Sequence, residues 1–193
     1  MNDRDVREAI RRFQPANQQE ERDRRVILEM LERGEDLFQR GDPAHFTASG
    51  WVTNQDGSRI LMAYHNIYDS WSWLGGHADG ERDLLAVAVR EVEEESGLKN
   101  VRPLIRDIFS LEILTVDGHV KRGQYVSSHL HLNLTYLLQA DESQPLKRKE
   151  DENRAVRWFD RDEAVAASSE KWMRENIYAK LNRKLEDLLG ENR

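Results

Sequence analysis

The spacing of apolar and polar positions divides the chain into three zones. Val6, Ile10 and Phe13 recur at helical spacing, and Val26, Ile27, Met30 and Leu31 resume that period among charges. Pro15 separates the two helices, because it has no amide proton to donate and clashes with the preceding turn. The stripe runs on through Glu35–Phe38, with Gly34 and the Gly41-Asp42-Pro43 cluster as stop signals. The period then shortens. Phe46–Thr53 and Arg59–Ile67 read as strands joined by the turn Asn54-Gln55-Asp56-Gly57. A helix is expected over about Asp83–Ser96, ended by Gly97 in a C′ position.

Val101–Val116 reads as one or two strands, with Asp117-Gly118 as a hairpin turn. The strand opposite alternates, with Leu130, Leu132, Leu134, Tyr136 and Leu138 on one face and His129, His131, Asn133 and Thr135 on the other. Asp141–Asn153 is a polar loop and Val156–Phe159 a short strand. From Ser169 a last helix carries Trp172, Ile177, Leu181, Leu185, Leu188 and Leu189 near one stripe. The pattern is that of a mixed α/β domain over 43–168, with a helical extension over 1–42 and a C-terminal helix over 169–193. The stripes on the end helices are expected to bury against the domain, with a contribution to a homodimer.

Composition narrows the class. The 193 residues are 38% hydrophobic and 34% charged, enough for a core that buries about 70% of the unfolded surface. With 36 acidic and 29 basic residues the formal net charge is −7, the wrong sign for a protein that neutralises a nucleic-acid duplex. The absence of cysteine excludes disulfides, thiolate metal sites and thiol nucleophiles. It also fits a reducing cytosol. The longest wholly apolar run, Leu84–Val89, falls far short of the roughly 18 residues of a membrane span. The start MNDRDVREAIRRF is charged throughout and has no apolar core of a secretory signal. A cytoplasmic protein that engages neither membrane nor duplex is the expectation.

The most informative stretch is Gly75–Leu98. On a wheel at about 100° per residue, Leu84, Leu85, Ala88, Val89 and Val92 share one arc. Glu91, Glu94 and Glu95 share the arc beside it, while Arg90 and Glu93 point elsewhere. Carboxylates at i, i+3 and i+4 repel one another. Spacing alone leaves two readings open. One is a solvated acidic face. The other is a hard-cation site, in which oxygen ligands suit Mg²⁺ or Mn²⁺ and the cation removes the repulsion. A glycine-rich entry to the helix lets backbone approach a metal and a phosphate.

The same stretch resembles the Nudix box, G-x5-E-x7-R-E-U-x-E-E-x-G-U with U a bulky aliphatic residue. Gly76 takes the first position, and Arg90-Glu91-Val92, Glu94-Glu95 and Gly97-Leu98 follow in register. One position departs: the first box Glu falls on Arg82, with Glu81 one residue early. In the family that Glu chiefly supports the loop and the box arginine, so the departure touches loop geometry and rate rather than the metal-binding triple. The resemblance implies a Nudix α/β/α sandwich with a mixed sheet. It implies that Glu91, Glu94 and Glu95 ligate Mg²⁺ or Mn²⁺, with the Gly76 carbonyl as a further ligand and Arg90 orienting the cluster. The implied reaction is hydrolysis of a nucleoside diphosphate linked to another moiety, a small phosphorylated substrate. The metal neutralises the diphosphate and lowers the pKa of a bound water.

Other side chains are candidates around that chemistry. Relatives place an acidic residue near the metals in a later loop, which makes Glu152 of Lys149-Glu150-Asp151-Glu152 the candidate general base; the bland alternative is a solvated loop charge. Trp71 and Trp73, just before the glycine pair, are candidates to stack a base, against ordinary packing. His77 in the box loop is a candidate phosphate contact. His129 and His131 are read as lining a substrate cleft if their leucine neighbours face the core, and not as metal ligands. Lys147, Arg148, Lys149, Lys121 and Arg122 offer basic loops to a phosphate or simply to solvent.

The function expected is a Mg²⁺-dependent Nudix hydrolase. The alternative is a Nudix-fold binding or regulatory module with little or no turnover, against which the intact, mutually repelling glutamates speak. An isopentenyl diphosphate isomerase reading needs a cysteine that this chain lacks. Around Leu111–Val116 neither the Pro nor the Tyr appears that marks ADP-ribose or dinucleoside polyphosphate subfamilies, so the residues name no substrate.

Overall fold

A computed structural model describes residues 3–40, 43–67, 69–121 and 123–190. Gly41 and Asp42 of the stop cluster and Arg122 of the basic pair lie outside the described residues. The chain opens with α1 (Asp3–Arg12) and α2 (Gln18–Glu32), followed by β1 (Ala44–Thr53), β2 (Arg59–His65), β3 (Ser70–Ser72) and β4 (Leu74–His77). Next come α3 (Leu84–Ser96), β5 (Arg102–Pro103), β6 (Ser110–Val116), β7 (His119–Lys121), β8 (Gln124–Val126) and β9 (His129–Gln139). The chain closes with β10 (Asn153–Asp160), α4 (Arg161–Ala167), a π-helical turn (Met173–Tyr178) and α5 (Ala179–Leu189). Two compact units alternate along the sequence: residues 1–49, 75–88 and 105–136 form the first, and 50–74, 89–104 and 137–193 the second. The division cuts β1 after Ser49, α3 after Ala88 and β9 after Tyr136.

In the first unit, Asn17 caps α2 by accepting from the Glu20 amide at 2.9 Å. Gly34 at φ +79° ends its last turn, so the apolar Leu37 and Phe38 are buried from an irregular segment and not from a continued helix. Val6, Ile10 and Phe13 of the first stripe and Ile27 and Leu31 of the second are buried, while Val26 is 38% exposed and lies off the stripe. β6 pairs antiparallel with β9 from Ser110↔Thr135 to Val116↔His129. Its other edge is covered by α2: the Ile113 backbone amide donates to the Asp23 carboxylate at 2.9 Å, and the Gln19 side-chain Nε2 to the Leu111 carbonyl at 3.0 Å. The Asp117-Gly118 turn does not return the chain directly to β9. It starts a separate β7–β8 hairpin, whose Val120 and Tyr125 are 70% and 72% exposed.

The start of β1 in this unit lies beside both β4 and β9, with the Leu130 amide donating to the Pro43 carbonyl at 2.7 Å. Gly75 is required there, since a Cβ would stand 2.5 Å from the Ala48 carbonyl oxygen.

In the second unit the end of β1 pairs with β2, and β2 pairs antiparallel with both β3 and β10. β5 pairs with the end of β9, whose own neighbour Ala140 donates to the Thr53 carbonyl at 3.0 Å. Val101–Val116 therefore divides into two strands, and β10 begins earlier than the apolar run Val156–Phe159 suggested. α4, with only Ala164 buried, has too weak a stripe to be read from sequence. At the C-terminus Ile177, Leu181 and Leu185 are buried, but Trp172 and Leu188 remain 60% and 49% exposed.

Candidate functional site

The second unit holds the glutamates of α3. Val92 is fully buried, next to Gly50 and Leu138, which keys this part of the helix to the sheet. Helical spacing then sets the depth of each carboxylate: Glu95 is buried, Glu91 has 15% of its side chain exposed and Glu94 has 48%. Glu93, the member of the run outside the trio, accepts from the Val101 amide at 3.1 Å and ties down the chain after the helix. Gly97 stops α3 at φ +74°, and a Cβ on it would stand 2.7 Å from the Cβ of Lys147. The Lys147 amide donates to the Ser96 carbonyl at 2.7 Å, so the helix end anchors the loop that leads to Lys149.

That loop brings Lys149, Glu152 and Asn153 to the trio. The amides of Glu152 and Asn153 donate back to the Lys149 carbonyl at 3.0 and 2.8 Å, which makes a tight turn into β10. Buried Asn153 donates from Nδ2 to Oε2 of Glu95 at 2.8 Å, so the deepest carboxylate is held by a neutral donor. The Lys149 ammonium lies 3.5 Å from Glu94 and 3.1 Å from Glu152. Partial burial pulls the Lys149 pKa down, but the hydrogen bond to Glu152 and the attraction of Glu152, Glu91 and Glu94 outweigh it and hold it above its ordinary value. Arg90 adds a second cation, 3.0 Å from Glu91 and 3.8 Å from Glu94. The repulsion expected of the trio is thus offset from two sides.

The first unit holds the glycine-rich entry to α3. Gly76 lies in β4. The Glu81 carboxylate accepts from the amides of Arg82 and Asp83 at 2.7 and 2.9 Å, and Asp83 accepts from the Ala86 amide at 3.1 Å at the start of the helix. Arg82 is turned away, with its guanidinium 4.5 Å from the centre of the Phe38 ring and 3.8 Å from Asp36. Glu81 thus organises the loop from one residue early.

Both tryptophans sit in aromatic packing of the second unit. Trp71 meets Phe159 edge-on at 4.8 Å and Tyr64 at 5.4 Å. Trp73 meets Tyr178 edge-on at 5.4 Å, and the buried Tyr178 stacks on Trp51.

The histidines of the first unit are gathered together. Three neighbouring strands each contribute: His45 from β1, His77 from β4, and His129 and His131 from β9. His131 Nε2 is 3.2 Å from Nε2 of both His77 and His129. Burial, reinforced by His77, His45, His129 and Arg40, pushes His131 down to about 2, so it is neutral at physiological pH. A cavity of about 310 Å³ also opens in this unit, lined in part by Val6, Arg12, Arg106 and Tyr136 and by none of these histidines.

A family model described as the NUDIX domain matches residues 43–181. The chain belongs to the Nudix family. It is accordingly a Nudix hydrolase, of the class that acts on acid anhydrides. No curated protein matches it in sequence. Among solved structures it is similar to the E. coli dihydroneopterin triphosphate pyrophosphohydrolase at 16% identity and a TM-score of 0.53, over 81% of this chain and 99% of that one. The Ap4A hydrolase of C. elegans in a binary complex aligns at 16% identity and 0.51, over 76% and 98%. RenU, a Nudix hydrolase of M. smegmatis, aligns at 15% identity and 0.50, over 77% and 88%. At these identities the likeness is one of fold, and the fold of this Nudix chain is α/β. Among the described residues, no helix is long and apolar enough to cross a membrane.

Within this Nudix chain, sequence reasoning located the glutamates but missed two residues that matter around the candidate sites. Asn153 had no signal beyond its place next to Glu152. His45 stands alone in its segment, and only the pairing of β1 brings it beside the other three. Lys149 reads from the sequence as a loop cation, and only the fold brings it between Glu94 and Glu152.

Proposed function

We propose that this chain hydrolyses the diphosphate bond of a small molecule, a nucleoside diphosphate linked to another moiety, with Mg²⁺ or Mn²⁺ held by Glu91, Glu94 and Glu95. The observation that carries this reading is Lys149. Its ammonium stands in contact with Glu94 and Glu152 and feels the charge of Glu91, so the carboxylates already recruit positive charge. An all-oxygen set of this kind fits a hard divalent cation.

When bound, the metal neutralises the diphosphate and supplies an activated water. The protein's own groups do the rest. Asn153 fixes the orientation of Glu95, and Arg90 steadies Glu91 and Glu94. Glu152 is the group that takes the proton of the attacking water, positioned by the turn at Lys149. Lys149, beside Glu94 and Glu152, would be the side chain available to the departing phosphate. Glu81 holds the loop into the helix in the role that the first box glutamate has in relatives.

A hydrolysis panel of dNTPs, nucleotide sugars, ADP-ribose, Ap4A, dihydroneopterin triphosphate and CoA, each with Mg²⁺ or Mn²⁺ and with product analysis, tests this. Cleavage at a phosphoanhydride that disappears in Glu95→Gln is the expected result. Binding of these compounds without any turnover would favour a regulatory module instead.

A further inference from the structure

The histidine quartet is not used by the hydrolysis proposed above and does not rest on it. The ligand atoms of His45, His77, His129 and His131 all lie within 4.8 Å of one another, the group of metal-ligating side chains that converges in this way among the described residues. We propose that these four imidazoles bind one divalent transition-metal ion of the zinc class.

Three observations carry the proposal. The first is spacing. Tetrahedral coordination with metal–nitrogen bonds of about 2.0–2.1 Å sets neighbouring donors about 3.3–3.4 Å apart. The two Nε2 pairs at His131 are 3.2 Å apart. Small side-chain rotations close the remaining spread.

The second is the placement of protons. His129 Nδ1 lies 2.8 Å from the Ser127 carbonyl, which only accepts, so Nδ1 carries a hydrogen and Nε2 is the ring nitrogen turned toward His131. A backbone carbonyl on the far ring nitrogen is the usual outer partner of a metal-bound histidine. His131 Nε2 faces two other Nε2 atoms with room for a single in-plane proton or lone pair. One shared hydrogen has to serve both contacts, whereas a cation at that point takes a lone pair from every ring.

The third is packing. The His45 ring lies 5.1–5.2 Å from each of the other three, with His129 nearly parallel to it at 23°. His45 is 3% exposed and the others are half-buried, so the set has a firm floor and an open side for entry. Four neutral nitrogens on neighbouring strands select a borderline ion such as Zn²⁺, Ni²⁺ or Co²⁺ over the hard Mg²⁺. A complete four-ligand set also favours a closed, strand-pinning site over one that keeps a position for substrate.

The test uses untagged full-length protein, stripped with chelator and dialysed against Zn²⁺ in excess Mg²⁺, then analysed for metal. Retention of one zinc per chain is expected in the wild type and in Glu94→Gln alike. His131→Ala and His129→Ala should weaken zinc binding at least as much as loss of an outer partner does, about 10- to 100-fold. Cobalt supplies a readout that needs no variant, since a four-coordinate nitrogen site gives an intense visible band and a six-coordinate oxygen site a weak one. No zinc retained by the wild type, zinc lost in Glu94→Gln but kept in His131→Ala, or only the weak cobalt band would each overturn the proposal.

Discussion

The glutamate cluster and the histidine cluster solve opposite problems. Glu91, Glu94 and Glu95 come from two turns of one helix, so local geometry brings their charges together whether or not the rest of the chain has folded. Such a set must stay partly open and must draw in cations, and Arg90 and Lys149 meet that need. The four histidines come from three strands and meet only in the folded sheet. An imidazole can bind a metal without carrying charge, so such a set tolerates burial, and its difficulty is one shared proton instead of excess charge. A charged ligand set can therefore be written into a single helix, while a neutral one can be scattered along the chain and assembled by strand pairing. The two sets also suit different ions, hard oxygen ligands on one side and borderline nitrogen ligands on the other.

The contrast breaks most sharply at the glutamates. Glu94→Gln and Glu95→Gln remove ligand charge but keep shape, and turnover should fall by at least about 100-fold with an unchanged circular dichroism spectrum. Full activity in both would remove the glutamates from the reaction. Gly97→Ala comes next. It forces a side chain into φ +74° and against Lys147, and should cost more than about 1 kcal/mol in denaturant unfolding. Because the same helix end anchors the Lys149 loop, its activity should fall more than that of a control of equal stability loss, such as Asn17→Ala at the cap of α2.

Smaller effects sharpen the charge argument. Lys149→Met removes the resident cation, so direct titration should show Mg²⁺ binding tighter by about fivefold, the worth of roughly 1 kcal/mol of Coulomb energy at contact distance. Weaker Mg²⁺ binding would mean that Lys149 supports the metal and does not compete with it. Glu170 offers a carboxylate outside both clusters, where burial pushes the pKa above its ordinary 4.5. A raised carboxylate costs the fold nothing below its unfolded pKa, and the penalty grows as pH rises through 4.5 toward the folded value. Glu170→Gln should therefore match the wild type in stability below about pH 4 and exceed it slightly at neutral pH, as thermal unfolding at both pH values would show.

Legibility followed the range of the contacts. The box helix, its Gly97 stop and the shared face of the three glutamates were readable because each depends on residues within about two turns. The apolar arc is nearly the one the spacing predicts: Val87, outside it, is fully buried, whereas Val89, inside it, is only half-buried. The role of Glu81 was half-visible, since its offset from the box position was plain but its two amide contacts were not. The β7–β8 hairpin, α4 and the short strands β3 and β4 escaped, being too short or too exposed to carry a period.

By itself the sequence determined the chemistry of the helix: three carboxylates at i, i+3 and i+4, a stop at Gly97 and membership of a family that the box motif announces. Helical geometry converts that spacing into a face without help from the rest of the chain. Tertiary structure alone decided which groups from outside the helix answer those carboxylates, since the cation Lys149 and the neutral donor Asn153 arrive from more than fifty residues away. It also decided that His45, His77, His129 and His131 meet, because strand neighbours are chosen by the burial of whole faces and not by the spacing of the residues that end up side by side.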